Sequence, residues 1–297
     1  MNRPEREKLI IIVNPVSGVR KNRQGEFRDI IESSLDYDRF DPVIRFTRYA
    51  GHGAEIVLEG LEHGINRFVV AGGDGTINKV AEKLAGTDAT LGIIPAGSGN
   101  GLAHHLGIPL RKKEAIELLN RDKTLRIDTC MVNDRFFASI AGIGFDARVA
   151  RQFAKCNSRG FLTYAKIVLK EYLSYKPLKY HLKLDEDELQ TEAFFISFAN
   201  SSQFGYNTRI APQASITDGL IDVCIVRKPP VQAFPGIARL MYQQKIDRSK
   251  YIEIYRASNI IVKRKKGKTV NIDGEAVKLD KKLHVTIKPS SLNVVVP

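Results

Sequence analysis

The sequence is poor in cysteine: 297 residues hold three, Cys130, Cys156 and Cys224, widely spaced and odd in number. That count supports neither a disulfide framework nor a zinc-ligand pattern. It fits a reducing compartment, where lone cysteines serve as small core residues. Tryptophan is absent, and so is any long apolar run free of helix breakers. The longest stretch without Asp, Glu, Lys or Arg, Ala89 to Leu110, contains five glycines and two prolines, which excludes a transmembrane helix there. The N-terminal apolar stretch is short and runs into Asn14-Pro15, so no signal peptide is expected and the expected location is cytoplasmic. Internal repeats and low-complexity tracts are missing. No G-x-x-x-x-G-K-S/T loop occurs, and no G-x-G-x-x-G follows the first apolar run, which excludes a P-loop protein and a dinucleotide fingerprint.

What is present is globular in character, with 43% apolar and 27% charged residues. The length suits two domains. Lys+Arg number 46 against 33 Asp+Glu, a net charge of +13. Between Arg227 and Lys268 stand twelve Lys+Arg and two acids, so +10 of that excess falls within one segment. Such a block is either a solvated surface or the footprint of an anionic partner, a membrane surface or a polyanion. No nucleic-acid recognition motif accompanies it, and nucleic acid is not an expected partner.

Lys8 to Val13 is an unbroken apolar run of the kind that fills a strand buried on both faces. Apolar residues at Phe27, Ile30, Ile31 and Leu35 predict a helix over 24–35. Strands follow at 43–46, 67–71 and 91–94, with helices at 53–61, from Thr76 to Leu84, and after the last of these strands. Strand, loop and helix alternating in this way predict an α/β domain with a doubly wound parallel sheet over 1–127. Past Arg126 the rhythm changes. Strand-like runs at 135–140, 179–184, 193–198, 220–226, 260–263 and 283–287 are separated by turn residues, and helical patterns stand out at 161–175 and 234–244. Residues 128–297 are therefore expected to form a mainly antiparallel domain, sandwich or barrel, with the β-sandwich as the expected form. Its last strand is free to return to the first domain.

Three glycine-rich loops follow predicted strands at their carboxyl ends, the edge where open α/β sheets bind ligands. They are Asn14-Pro15-Val16-Ser17-Gly18, Gly72-Gly73-Asp74-Gly75-Thr76 and Gly97-Ser98-Gly99-Asn100-Gly101. Glycine lets a backbone approach a ligand closely, and N–H groups at a helix start suit an anion. Ser17, Thr76 and Ser98 add hydroxyl donors. One such loop is ordinary punctuation, whereas three on one sheet edge point to a phosphate-bearing ligand. Asp74 would repel phosphates unless a cation stands between, and Mg²⁺ bound through water resolves the conflict. The same carboxylate also suits the N-cap of a helix starting near Thr76.

These loops, with Ile140-Ala141-Gly142-Ile143-Gly144-Phe145-Asp146, the segment from Pro212 to Val223 and Asn271-Ile272-Asp273-Gly274-Glu275, resemble the diacylglycerol kinase catalytic-domain family over nearly the whole chain. That family includes bacterial soluble lipid kinases and is related to sphingosine and ceramide kinases. Gly-Gly-Asp-Gly alone is shared with NAD kinases and phosphofructokinases, but the segments in this order are specific.

The resemblance implies an ATP-dependent phosphotransferase that moves the γ-phosphoryl to a lipid hydroxyl, of diacylglycerol or a sphingoid base, with ATP in a cleft between two domains. It implies nucleotide contacts from Asn14, Pro15, Ser17, Gly18, Thr47, Gly72, Gly73, Gly75, Thr76, Asn78, Gly97, Ser98, Gly99 and Asn100. It further implies that Asp74 organises a Mg²⁺–water network and that a structural Mg²⁺ sits on Ser215, Asp218 and Leu220. Asp273 or Glu275 would take the proton of the lipid hydroxyl, whose pKa is very high. Taken alone, Thr217-Asp218-Gly219 is a β-turn, and either acid of Asp273-Gly274-Glu275 is a fitting turn cap.

The chain departs from the family at two points. Lys79 follows Asn78 where the family carries an acid, and Gly101 follows Asn100 where many bacterial members carry Asp. The second departure resembles sphingosine and ceramide kinases. Asp146 falls near an acid that sphingosine kinases use toward the substrate amine; pairing with Arg148 or Arg151 is the structural alternative. Phe145, Phe153, Phe161 and Tyr164 are expected in the lipid pocket. His104 and His105 diverge by about 100° on a helix and cannot chelate one metal. Two other functions stay open, an NAD-kinase-like soluble-substrate kinase and a nucleotide- and membrane-binding protein without catalysis. The basic block lies outside the phosphate loops, so it is expected to dock the enzyme reversibly on an anionic membrane surface. Exposed edge strands in the second domain permit a homodimer.

Overall fold

In the computed structural model, which describes residues 6–17, 24–121, 123–156, 161–205 and 208–297, the first apolar run forms β1 (Glu7–Val13) with Leu9 to Val13 buried. Alternation then follows in order: α1 (Gln24–Ser34), β2 (Phe40–Phe46), α2 (His52–Glu62), β3 (Arg67–Gly72), α3 (Asp74–Leu84), β4 (Thr90–Pro95), α4 (Gly101–His105) and α5 (Lys112–Leu119). β1 pairs in parallel with β2 and β3, and β3 pairs in parallel with β4. The order β2-β1-β3-β4 puts a topological switch point between β1 and β3, where ligand crevices open at the strands' carboxyl ends. Phe68, Val69 and Leu91 on the strands and Val80 and Leu84 on α3 are fully buried. Each such side chain contributes roughly 1.5–3 kcal/mol.

The chain divides after Ile127, and Ser290–Pro297 belongs with the first unit. There Asn293 and Val294 pair in parallel with Thr90 and Leu91. The second unit, Asp128–Pro289, is built on strands. They are β5 (Thr124–Val132, entering from the first unit), β6 (Arg135–Phe137), β7 (Ile140–Gly144), β8 (Leu178–Leu184), β9 (Asp187–Ala193), β10 (Phe195–Ala199), β11 (Gln203–Gly205), β12 (Thr208–Arg209), β13 (Ile221–Val226), β14 (Ile252–Ala257), β15 (Asn259–Arg264), β16 (Thr269–Ile272), β17 (Glu275–Lys278) and β18 (Lys282–Val295). The helices are α6 (Phe145–Ala154), α7 (Phe161–Ser174) and α8 (Phe234–Tyr242). One antiparallel sheet runs β14-β13-β10-β7-β16-β17. In the other, β15 lies between β8 and the start of β18, and β9 follows β8. Ile143, Phe198 and Val223 of one sheet share a buried core with Leu182, Val262 and Leu283 of the other, which makes the unit a sandwich.

The parallel sheet and the antiparallel sandwich expected from the sequence are both present. Two local features differ. The predicted strand at 135–140 is broken at Ala138-Ser139, because those N–H groups are bonded to Asp273 rather than to a strand. Helix α6 is not anticipated. It starts where Gly144, at φ 92°, turns the chain. A Cβ there would stand 2.8 Å from the Phe194 carbonyl oxygen. Among the described residues no helix is long and apolar enough to cross a membrane.

Candidate active site

At the end of β1, Asn14 ties the first loop to the second. Its backbone N–H donates to Ala71 O (2.9 Å), and its Nδ2 donates to Thr76 Oγ1 (2.8 Å). The second loop is tied to the third through Asp74. That carboxylate accepts the Asn100 N–H at Oδ2 (2.9 Å) and the Gly101 N–H at Oδ1 (2.7 Å). Asp74 is therefore not the N-cap of a helix starting near Thr76. Helix α3 begins at Asp74 itself, after Gly73, and the carboxylate satisfies N–H groups at the start of α4. Asn100, in the left-handed region at φ 51°, clamps its own loop. Its Oδ1 accepts the Gly97 N–H (2.9 Å), and its Nδ2 donates to Gly97 O (3.0 Å).

This packing revises the role of the glycines. A Cβ on Gly97 would stand 2.5 Å from Gly73 Cα, and one on Gly99 would stand 2.7 Å from Asp74 Oδ2. Those residues must be small for the two loops to pack on each other. Gly75 is different. A Cβ there meets nothing within 4 Å, and the residue is exposed in the first turn of the 11-residue α3, where backbone N–H groups lack intrahelical partners and favour an anion. The hydroxyls of Ser17, Thr47 and Ser98 are half-buried and make no hydrogen bond among the described residues. Thr47 is held at the end of β2 by its N–H to Val13 O (2.9 Å). Pro15 lies in the first loop and Gly18 outside the described residues. Asn78 is buried in α3, and the Lys79 ammonium lies 3.5 Å from Glu82 on the same helix.

In the second unit the two acids of the Asp-Gly-Glu turn separate. Asp273, at φ 45°, accepts the N–H of Ala138 (2.9 Å), Ser139 (3.1 Å) and Ile140 (2.8 Å) on its carboxylate. Glu275 opens β17 with its side chain exposed and without a partner among the described residues. Of the two, Glu275 has a carboxylate available for chemistry.

The segment expected to hold structural Mg²⁺ forms a turn. Asp218 Oδ1 accepts the Leu220 N–H (3.1 Å), and Ser215 Oγ lies 3.3 Å from Thr217 Oγ1. Asp128, buried, accepts the Gly219 N–H (2.8 Å). Beside it, Asp222 bonds Arg256 Nε through Oδ1 (3.0 Å), while its Oδ2 is buried with no partner. Burial raises the Asp222 pKa, Arg256 lowers it, and the charge of Asp218 raises it again. Two neighbouring carboxylates with one orphaned oxygen fit a hard divalent cation. Among the described residues no three His, Cys, Asp or Glu cluster as a ligand set, so Ser215 and the Leu220 carbonyl would have to add to whichever of these carboxylates held the ion.

Residues 8–132 match the family model of the diacylglycerol kinase catalytic domain, and residues 139–296 match that of the YegS C-terminal NAD kinase beta sandwich-like domain. The chain belongs to the diacylglycerol kinase catalytic-domain family. A "Probable lipid kinase YegS-like" protein of Chromohalobacter salexigens is 31% identical over 190 residues, 62% of this chain and 61% of that protein. A "Diacylglycerol kinase" of Mycobacterium tuberculosis is 29% identical over 253 residues, 80% of each. The crystal structure of a putative diacylglycerol kinase from Bacillus anthracis str. Sterne superposes with TM-score 0.78 at 22% identity, over 98% of this chain and 97% of that one. The last comparison bears on the fold alone.

Asp146, the acid that follows Phe145 at the start of α6, is buried. Asp146 does not pair with Arg148 or Arg151; Arg148 instead donates to Glu171. The Asp146 carboxylate, 5% exposed, accepts Asn271 Nδ2 on both oxygens (3.1 and 2.9 Å), and Asn271 Oδ1 in turn accepts the Gly274 N–H (3.0 Å). Sequence spacing hides this link between residues 125 positions apart. A Cβ on Gly142 would stand 1.9 Å from Asp146 Oδ2, so the glycine makes room for the acid. Burial pushes the Asp146 pKa up to about 6 against the lowering effect of the Asn271 bond. The unfolded value is about 4, so the native chain holds this proton more tightly. The contribution of Asp146 to unfolding free energy therefore falls as pH rises from about 4 to about 6, by on the order of 3 kcal/mol, and is flat above. Denaturant titrations across that range should show the slope in the wild type and lose it in Asp146→Asn; a variant that keeps the slope contradicts this assignment.

Phe145 stacks on Phe194 (4.2 Å between ring centroids) in a buried cluster against which Tyr164 packs, and Phe153 meets Tyr164 edge-on at 5.9 Å. The side chain of Phe161 lies outside the described residues.

Proposed function

We propose that the chain is an ATP-dependent lipid kinase that transfers the γ-phosphoryl group of ATP to the free hydroxyl of diacylglycerol. The observation that carries this reading is the lock of three loops at the switch point. There Asn14, Asp74 and Asn100 fix the start of α3 and α4 with unpartnered hydroxyls around them. Preorganised N–H donors and hydroxyls of this kind bind phosphates and stabilise charge on a transferring phosphoryl group. Asp74 holds the donors in place. Glu275 takes the proton of the lipid hydroxyl as attack begins, and Asp273 positions its turn. Mg²⁺, when bound, neutralises phosphate charge. The buried, Asn-bonded Asp146 offers no open carboxylate to a sphingoid amine, which favours a glycerol-based lipid.

Membrane docking is part of the proposal, with its surface revised. Four of the twelve cations in the basic block are engaged internally. Arg264 is buried, Arg256 and Arg227 pair with Asp222 and Glu253, and Lys228 donates to the carbonyls of Tyr172 and Tyr175. Helix α7 supplies what the block lacks. Leu162, Leu169 and Leu173 are 76, 62 and 73% exposed along one helical face, interleaved with exposed Lys166 and Lys170. An apolar face rimmed by lysine suits an anionic bilayer surface.

The test is labelled ATP with Mg²⁺ and micelles of diacylglycerol, ceramide or sphingosine, or NAD in solution. Label is expected on diacylglycerol; equal labelling of sphingosine would overturn the Asp146 argument, and label on NAD alone would overturn the lipid reading. Binding to phosphatidylglycerol vesicles is expected to weaken with salt and to be lost in a Leu162/Leu169/Leu173→Ser variant. Indifference to lipid charge and salt would refute the docking surface.

A further inference from the structure

The second unit contains a small cavity of about 170 Å³, lined by none of the residues given a part in phosphotransfer above. Arg148 and Arg151 of α6 line it together with Arg264 at the end of β15, Lys266 of the β15–β16 connection, Tyr175 and Tyr180. No carboxylate lines it. Arg148 already meets Glu171, which also accepts from Gln152 Nε2 (3.2 Å). Arg151 and Lys266 are exposed and have no ion pair among the described residues.

Arg264 is the unusual member. It is 5% exposed, and its guanidinium donates to the carbonyl oxygens of Thr269 (3.0 Å), Leu279 (3.4 Å) and Asp280 (3.0 Å). Its Nε is buried with no partner, and no acid pairs with its charge among the described residues. Buried cations are normally paired, since an uncompensated charge away from water is costly. Burial accordingly lowers its pKa. An anion in the cavity would supply the missing counter-charge. The volume is below the roughly 300 Å³ at which drug-sized sites begin, which limits the occupant to a small group. Several converging cations with guanidinium forks favour phosphate, with its multiple oxygens and double charge, over a single carboxylate.

We propose that this cavity is a second phosphate site, which binds a phosphate monoester, either a small soluble phosphate or the headgroup of an anionic lipid. The bound group bridges α6 to the connection between β15 and β16. Those elements lead to Asp146 and Asn271, so the bridge braces the pair that holds Gly274.

The test is thermal unfolding of the full chain titrated with inorganic phosphate, glycerol 3-phosphate or vesicles containing phosphatidic acid, without and with saturating ATP and Mg²⁺. A bridging ligand raises Tm by mass action, and the rise should persist when ATP is present. In an Arg151→Ala/Lys266→Ala variant, whose substituted side chains are exposed, the apparent affinity should fall by roughly tenfold or more for each charge-assisted bond lost. The ATP-dependent rise should not change. A response to the soluble phosphates identifies a small ligand, and a response to vesicles alone identifies the headgroup. No response to any probe, or an equal response in the variant, overturns the proposal.

Discussion

Replacing Glu275 by Gln is expected to lower lipid phosphorylation by about 10²- to 10⁴-fold, the range of a lost general base, and to leave folding almost untouched. The side chain is exposed and unpartnered among the described residues, so its removal should alter stability by no more than about 0.5 kcal/mol. The neighbouring acid should behave in the opposite way. Asp273→Ala leaves three backbone N–H groups, of Ala138, Ser139 and Ile140, without their acceptor. At about 1–3 kcal/mol for each unsatisfied group, the loss is at least about 3 kcal/mol, visible as a large fall in Tm. Activity measured alone would not separate the residues, because both variants lose it. Stability measured beside activity does. If Glu275→Gln retains full transfer, the base is elsewhere.

Gly97→Ala should have the second-largest effect. Its Cβ would sit 2.5 Å from Gly73 Cα and 2.9 Å from Asn100 Oδ1, and the first of these is backbone that cannot rotate away. Forcing the loops apart costs about 1–3 kcal/mol as overpacking. It also breaks the Asn100 clamp and pulls the Asn100 and Gly101 N–H groups from Asp74. Tm and ATP affinity should fall together. Gly75→Ala is the contrast. Its Cβ meets nothing within 4 Å, so Tm should hold while ATP affinity drops if phosphate occupies the space beside Gly75, as proposed. Calorimetric titration with ATP and Mg²⁺ and a thermal scan on both variants check this. Equal ATP affinity in Gly75→Ala and wild type would refute the phosphate-loop assignment.

The contrast shows what was legible in the sequence. Apolar runs marked the strands because buried parallel strands must be apolar on both faces, and glycine-rich segments at their ends located the loops. Why each glycine is there was not legible. Gly73, Gly97 and Gly99 answer to neighbours in the adjoining loop, whereas Gly75 faces open space. The split between Asp273 and Glu275 also lay beyond the sequence, because it depends on which carboxylate finds N–H groups about 135 positions away. Buried Asp128, bonded to Gly219, and Asp146, bonded to Asn271, likewise acquire partners far away in sequence only through the tertiary fold. Helix α6 begins where Gly144, at φ 92°, packs against the Phe194 carbonyl, a contact that no local sequence pattern encodes. Charge counting overstated the basic block, four of whose cations serve internal bonds.

The most direct measurement is a single turnover. Enzyme preloaded with γ-labelled ATP and Mg²⁺ is mixed with diacylglycerol micelles, quenched at intervals, and partitioned between organic and aqueous phases. The account predicts label entering the organic phase as a lipid phosphate at a rate that collapses in Glu275→Gln while ATP remains bound. Label that stays in ATP, or that appears only as inorganic phosphate at the same rate in both proteins, would contradict it.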